Sequence, residues 1–166
     1  MKPDLDAEIE RWIDAAEDAT RELAVAALGC SVEANATRGT EPPAQLSGAY
    51  LQLLSDRQVV QVGLCGDEAA LTHLAAGLLG LDGPLSHADV TDAVGEIVNM
   101  VAGGIKRRLL PAYPGLQLGL PVFIHGHLEA RGRQELRVSH LPLSTGHRLV
   151  LIVLGERRAN WARSAG

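Results

Sequence analysis

The sequence predicts the α+β class: an antiparallel-rich sheet with about three helices on one face. Two observations predict it. Apolar residues recur at helical spacing in three stretches, whereas the segments between and after them are short, β-prone and broken by turn residues. The resulting order is one helix, three strands, two helices and then three or four strands, which suits helices layered on an antiparallel sheet. The 166 residues read as a single domain, 1–166, with its core over about 5–155. A domain of this size buries roughly two-thirds of its unfolded surface without disulfides or metals. Hydrophobic residues make up 46% of the chain but aromatics only 3%, so the core must be built from Leu, Val, Ile and Ala.

The first element is a helix over residues 5–28, in which Leu5, Ile9, Ile13, Ala16, Leu23 and Ala27 share a face. Asp4 is placed to cap its start and Gly29 to end it. Three strands follow at 30–37, 46–54 and 59–65, punctuated by Pro42-Pro43 and Ser55-Asp56. Gly66-Asp67 opens a second helix whose buried side is marked by Leu71, Leu74, Ala75 and Leu78, and Gly80 stops it. Asp82-Gly83-Pro84 turns the chain. Ser86, with Asp89 three residues on, resembles a capping arrangement for a third helix from about 87 to 110, which Pro111 and Pro114 end. The remainder is strand-like at 116–120, 122–127, 136–141 and 149–154. Pro121 has no N–H for a sheet ladder, which puts it at an edge, a bulge or a strand boundary. The tail from 156 to 166 is polar apart from Trp161, and no solenoid-type repeat is visible.

Composition narrows the function. A formal net charge of −5 gives no basic face for nucleic acid. The one basic run, Lys106-Arg107-Arg108, sits in a helix C-terminal half, where cations suit the helix dipole. The acidic, polar N-terminus is unlike a signal peptide, and no apolar run approaches the roughly 20 residues a bilayer span needs. The chain therefore reads as cytoplasmic and soluble, with no nucleic-acid or membrane partner. Cys30 and Cys65 stand in no metal-ligand spacing and are expected as free thiols. No Gly-x-Ser-x-Gly, Cys/His pairing or phosphate-cradling loop is present, so nucleophilic catalysis and nucleotide binding have no support. His125 and His127 are two apart, hence on one face of a strand, and a metal site would need His140 to join them from a neighbouring strand. The alternative is ordinary surface or core placement. Trp12 and Trp161 read as packing or surface residues.

The most informative stretch is 92–100, in the third helix. Asp92, Glu96 and Asn99 fall at i, i+4 and i+7, and at about 100° per residue they lie within roughly 60° of one another. Val94, Val98, Val101, Ile105 and Leu109 form an apolar seam on the opposite side. The seam faces a core and the polar stripe faces outward. Asn is among the poorer helix formers, so function explains the stripe better than packing does. The competing reading is a solvated helix face. A carboxylate pair could also suggest a metal, but no Glu-x-x-His follows it.

The segment Asp92-Ala93-Val94-Gly95-Glu96-Ile97-Val98-Asn99 resembles the signature helix of the CheC/CheX/FliY chemotaxis phosphatases: Asp or Ser, three residues, Glu, two residues, Asn. All three fixed positions match. Gly95, Met100, Ala102, Gly103 and Lys106 resemble the CheX branch, and the element order over about 5–155 agrees with that branch. The resemblance implies a CheC/CheX-like fold and hydrolysis of the aspartyl-phosphate of a CheY-like response-regulator receiver. Under it, Asn99 orients the attacking water through a carboxamide that both donates and accepts without repelling phosphate. Glu96 pairs with a lysine of the receiver. Asp92, Gly103 and Lys106 are the implied partner-contact positions, with support of the helix face the other reading of Asp92 and solubility that of Lys106.

The receiver brings its own magnesium and lysine, so no cofactor or metal of this chain is implied, and catalysis is largely positioning. The active form implied is a homodimer whose sheets join across the subunit boundary. Gly103 has two open readings: a bare position that admits a partner's backbone, or, with Gly104, a kink or early helix end. The CheC branch carries a second motif copy. Here Asp14, Asp18 and Arg21 have its spacing, but Arg replaces the amide, which fits a single-site protein of the CheX kind. A non-catalytic alternative uses the same face to bind a receiver or to join a flagellar-switch assembly related to FliY.

Overall fold

The computed structural model describes residues 5–132 and 134–157; Asp4, Trp161 and most of the expected polar tail lie outside them. The order is α1 (Leu5–Ala27), β1 (Thr37–Gly39), β2 (Leu46–Leu54), β3 (Gln58–Gly66), α2 (Glu68–Leu79), α3 (His87–Leu109), β4 (Gln117–Leu118), β5 (Val122–Gly126), β6 (Gln134–Pro142) and β7 (Arg148–Arg157). All seven strands join one antiparallel sheet, ordered β1-β6-β7-β3-β2-β4, with β5 pairing beside β4 on β2.

Local chemistry sets the helix ends. Asp67 accepts a hydrogen bond from the Ala70 amide at 2.7 Å to start α2, and Gly80 ends it at φ +63°. Ser86 and Asp89 form a full capping box on α3, each side chain accepting from the other's backbone N–H at 3.1 Å. After α1 the chain turns at Gly29, whose φ of +66° suits glycine.

Two expected strands are much shorter than their β-prone composition suggests. Residues 30–37 give only an isolated bridge, Val32 to Leu143, before β1 begins at Thr37. Ser31 and Glu33 bond instead to the β6–β7 corner, through Ser144 and Pro142, and a turn at 34–35 breaks the run. Residues 116–120 keep only β4, because Gly119 donates once to Gln52 and Pro121 cannot donate. Conversely β7 runs to Arg157, two residues into the expected tail, because β3 offers partners as far as Gln58.

The helices cover one face of the sheet. Ile9, Trp12 and Ile13 of α1, Leu71 and Leu74 of α2, and Val94, Val98, Val101 and Ile105 of α3 pack on Leu51, Leu53, Val60, Val62, Leu64, Leu151 and Val153. The other face carries a smaller cluster, with Tyr50, Cys65, Val138 and Ile152 at its centre and Leu128 and Ala130 against it. Residues 149–154 are buried on both faces, which is why β7 reads as a continuous apolar run.

Helix α3 continues through Gly103-Gly104 to Leu109, so the pair is not an early end. Gly104 lies where α3 crosses α1: a Cβ there would stand 2.8 Å from the Ala19 Cβ. Gly104→Val is therefore expected to force the two helices apart and cost about 1–3 kcal/mol, visible as a lower urea midpoint. An unchanged midpoint would show that the crossing is loose.

The outer face of α1 is tied down by arginines. Arg38 donates to Asp14 and Glu17, both at 2.7 Å, and Arg137 pairs with Glu10 and Asp6. Burial pushes the Glu17 carboxyl up, but hydrogen bonds from Arg38 and Ser139 and the charges of Arg38 and Arg21 outweigh it. The net result is a value below the ordinary 4.5. A depressed carboxylate stabilises the fold above its unfolded pKa, and that contribution is lost as pH falls through the folded value. Glu17→Gln should thus flatten the loss of unfolding free energy below about pH 4.5, read from urea titrations at stepped pH. An identical slope in the variant would show that Glu17 is not linked to acid unfolding.

Candidate functional site

The stripe is a product of how α3 docks. Val94, Val98, Val101, Ile105 and Leu109 are buried beneath it, which turns Asp92 and Glu96 outward, exposed, and leaves Asn99 half-buried. None of these three side chains makes a hydrogen bond or ion pair among the described residues. The contrast with α1 is informative. Five of its seven carboxylates, Asp6, Glu10, Asp14, Glu17 and Glu22, are held by arginines, whereas Glu8, Asp18 and the two on the α3 stripe have no ion pair among the described residues. Asp14 and Arg21, which share the motif spacing on α1, are structural: Asp14 holds Arg38, and Arg21 donates to the carbonyls of Val32 and Glu33 at 3.4 and 3.2 Å.

The surroundings leave the stripe open. A Cβ at Gly103 would meet only the Arg107 Nη1, at 3.9 Å, so nothing in this chain's own packing demands glycine there. The unbroken helix removes the early end from the readings of Gly103. Lys106 is half-buried one turn further on, with no ion pair among the described residues. On one flank, Pro121 stands 3.9 Å from where a Gly95 Cβ would lie, and the Phe123 ring meets His87 edge-on at 6.1 Å, which holds β5 to the first turn of α3. Met100 marks the other flank, 38% exposed.

The histidines do not form the metal site that their spacing allowed. His127 lies beyond the end of β5, with its Nδ1 3.2 Å from the Ala44 carbonyl, and His125 is engaged by Ser47. His140 is on β6, which pairs with β1 and β7 and is not a neighbour of β5. His87, His125, His140 and Arg148 line a pocket of about 850 Å³ at the end of the sheet. No group of three His, Cys, Asp or Glu among the described residues could hold a metal. Cys30 and Cys65 are free and buried. Burial pushes the Cys65 thiol up to about 11, against a smaller opposing effect of Tyr50, which makes it a poor nucleophile. Trp12 is fully buried and packs on Tyr113. No helix is long and apolar enough to cross a membrane among the described residues.

Arg107 is the residue the sequence did not single out. It reads there as one member of a basic run, and the only signal was its position four residues after Gly103.

Residues 49–142, more than half of the chain and including the whole stripe, match the family profile described as chemotaxis phosphatase CheX. No curated protein matches in sequence. Among solved structures, the chain is similar to a CheC-like superfamily protein from Shewanella sp. PV-4, at 16% identity over 88% of this chain and 97% of that one, with a TM-score of 0.74. It is equally similar to the chemotaxis protein CheX from Vibrio vulnificus, at 17% identity, 87% and 99% coverage and a TM-score of 0.74. A third is the CheX–CheY–BeF3–Mg2+ complex from Borrelia burgdorferi, at 19% identity, 89% and 97% coverage and a TM-score of 0.67. At these identities the structures establish a shared fold.

Proposed function

Because this chain belongs to the CheX chemotaxis phosphatase family, we propose that it hydrolyses the aspartyl-phosphate of a CheY-like response-regulator receiver. The observation that carries this reading is the line of Asp92, Glu96 and Asn99 on α3, exposed or half-exposed and without a partner among the described residues. An acyl phosphate is cleaved when a water placed in line attacks phosphorus. The P–O bond to the aspartate breaks, the carboxylate leaves, and inorganic phosphate carries off the water's oxygen. In this reading the receiver's own magnesium and lysine neutralise the transferring group, so this chain supplies position rather than a metal.

Asn99 is the catalytic residue. Its carboxamide oxygen accepts a hydrogen bond from the water, its N–H2 can donate to the phosphoryl group, and its neutrality avoids repelling that group. Glu96, one turn earlier and exposed, pairs with a receiver lysine and fixes the register of approach. Asp92, Gly103 and Lys106 extend the contact along the same line. That a protein of the same fold forms a complex with CheY, BeF3 and Mg2+ supports a receiver as the partner. The setting we assign is the cytoplasm, where receivers act.

We also read the active form as a homodimer joined through the sheet. The edge strand β5 supports this: Val122 and Ile124 are 57% and 45% exposed, and Leu120 beside them 86%, an apolar edge of the kind that invites pairing. The deciding experiment follows the decay of a phosphorylated receiver from the same genome with and without the protein. Faster decay supports the hydrolase. Unchanged decay with every cognate receiver would replace it with the non-catalytic binding or flagellar-switch reading.

A further inference from the structure

The stripe has a charge direction along the helix. Its N-terminal half carries Asp92 and Glu96, its middle carries Asn99 and Gly103, and its C-terminal half carries Lys106 and Arg107. The neighbouring Arg108 is spent within the fold: it pairs with Glu22 of α1 and donates to the Gly104 carbonyl at 3.2 Å. Arg107 has no ion pair among the described residues, although it is exposed. Its side chain leans toward the helix N-terminus, as helical side chains do. The Nη1 comes to rest 3.9 Å from where a Gly103 Cβ would be. That places the guanidinium beside the bare position 103, one turn from Asn99, at ordinary contact distance.

We infer that Arg107 is a second anchor of the receiver interface, its guanidinium pairing with a carboxylate on the rim of the receiver's phosphorylation site. The inference rests on the receiver reading above and extends it by one residue and one contact. Two arguments select a carboxylate over the phosphoryl group itself. The phosphoryl oxygens are already served by the receiver's magnesium and lysine, and the guanidinium sits a full helical turn, about 5.4 Å, from the turn that holds Asn99. Glu96 reading a cation on one side of Asn99 and Arg107 reading an anion on the other would fix both the position and the direction of α3 across the site. A planar, charged fork is suited to that task.

The test measures binding and turnover together. Arg107→Ala should weaken binding of a cognate receiver about tenfold, equally for the free receiver and for the receiver loaded with beryllofluoride and magnesium. In turnover it should raise KM by a similar factor with kcat within about threefold of wild type. Raising the salt should narrow the gap between wild type and variant, and Arg107→Lys should recover part of the loss. Loss of binding confined to the beryllofluoride form, or a fall in kcat alone, would overturn the carboxylate assignment and move Arg107 to the phosphoryl group. Unchanged binding would overturn the anchor altogether. If wild type binds but does not hydrolyse, the catalytic reading falls while a binding defect in Arg107→Ala still upholds the anchor.

Discussion

Replacing Asn99 by Ala is expected to lower the rate of receiver dephosphorylation by about 10²–10³-fold, the usual loss when a hydrogen-bonding group aimed at the transition state is removed. The prediction is sharp because the fold has no other use for this side chain. Asn99 makes no hydrogen bond within its own chain among the described residues, and Ala is the better helix former by a few tenths of a kcal/mol. The melting temperature should therefore stay level or rise slightly while activity collapses. Affinity for the receiver should change little, since Glu96 and the C-terminal half of the stripe still dock. A decay assay, a receiver-binding titration and a thermal melt on the same preparation separate these outcomes. If the variant keeps wild-type turnover, water is positioned by something else. If it melts well below wild type, Asn99 has a structural duty that the geometry does not show.

The stripe was legible in the sequence because it is a matter of period. Val94, Val98, Val101, Ile105 and Leu109 fix which side of α3 is buried, and the positions of Asp92, Glu96 and Asn99 follow. The capping box at Ser86 and Asp89 and the left-handed stop at Gly80 were equally readable, since each is local chemistry. What spacing could not show is which polar residues find partners. Asp14, Asp18 and Arg21 on α1 have the same spacing as the motif, yet Asp14 and Arg21 are consumed by Arg38 and by the backbone at 32–33. That distinction depends on β1 and β6 lying beside α1, a long-range fact.

The same limit explains the strands. Central β3 and β7 announce themselves by apolar residues on both faces, but β1 and β4 are edges whose length is set by what lies opposite. The β-prone run 30–37 lost its ladder to a turn. The glycine pair in α3 also divides on tertiary grounds: Gly104 makes room for Ala19, while a Cβ at Gly103 would meet nothing closer than an ordinary contact with Arg107.

The largest stability effect is expected at Trp12, which positions none of the chemistry but fills the space beneath α1. It is fully buried, with its ring 5.2 Å from that of Tyr113. Trp12→Ala would leave a cavity that the surrounding Ile and Leu cannot close, at a cost of about 3–5 kcal/mol. For a chain of this length that corresponds to a fall of roughly 6–20 °C in Tm. Against a typical total of about 5–15 kcal/mol, the variant sits near the edge of folding.

Trp12 is also an imperfect fit, because its buried Nε1–H has no hydrogen-bond partner among the described residues, and an unsatisfied buried donor costs about 1–3 kcal/mol. Trp12→Phe removes that donor while keeping most of the apolar contact, so it should recover more than half of the loss seen with Ala. Chemical denaturation of the three proteins gives the order. Phe falling as low as Ala would mean that the indole's shape, and not its burial alone, holds α1 in place. Below their midpoints both variants should dephosphorylate the receiver at the wild-type rate per folded molecule, because Trp12 lies beneath the helix layer and the stripe faces away from it.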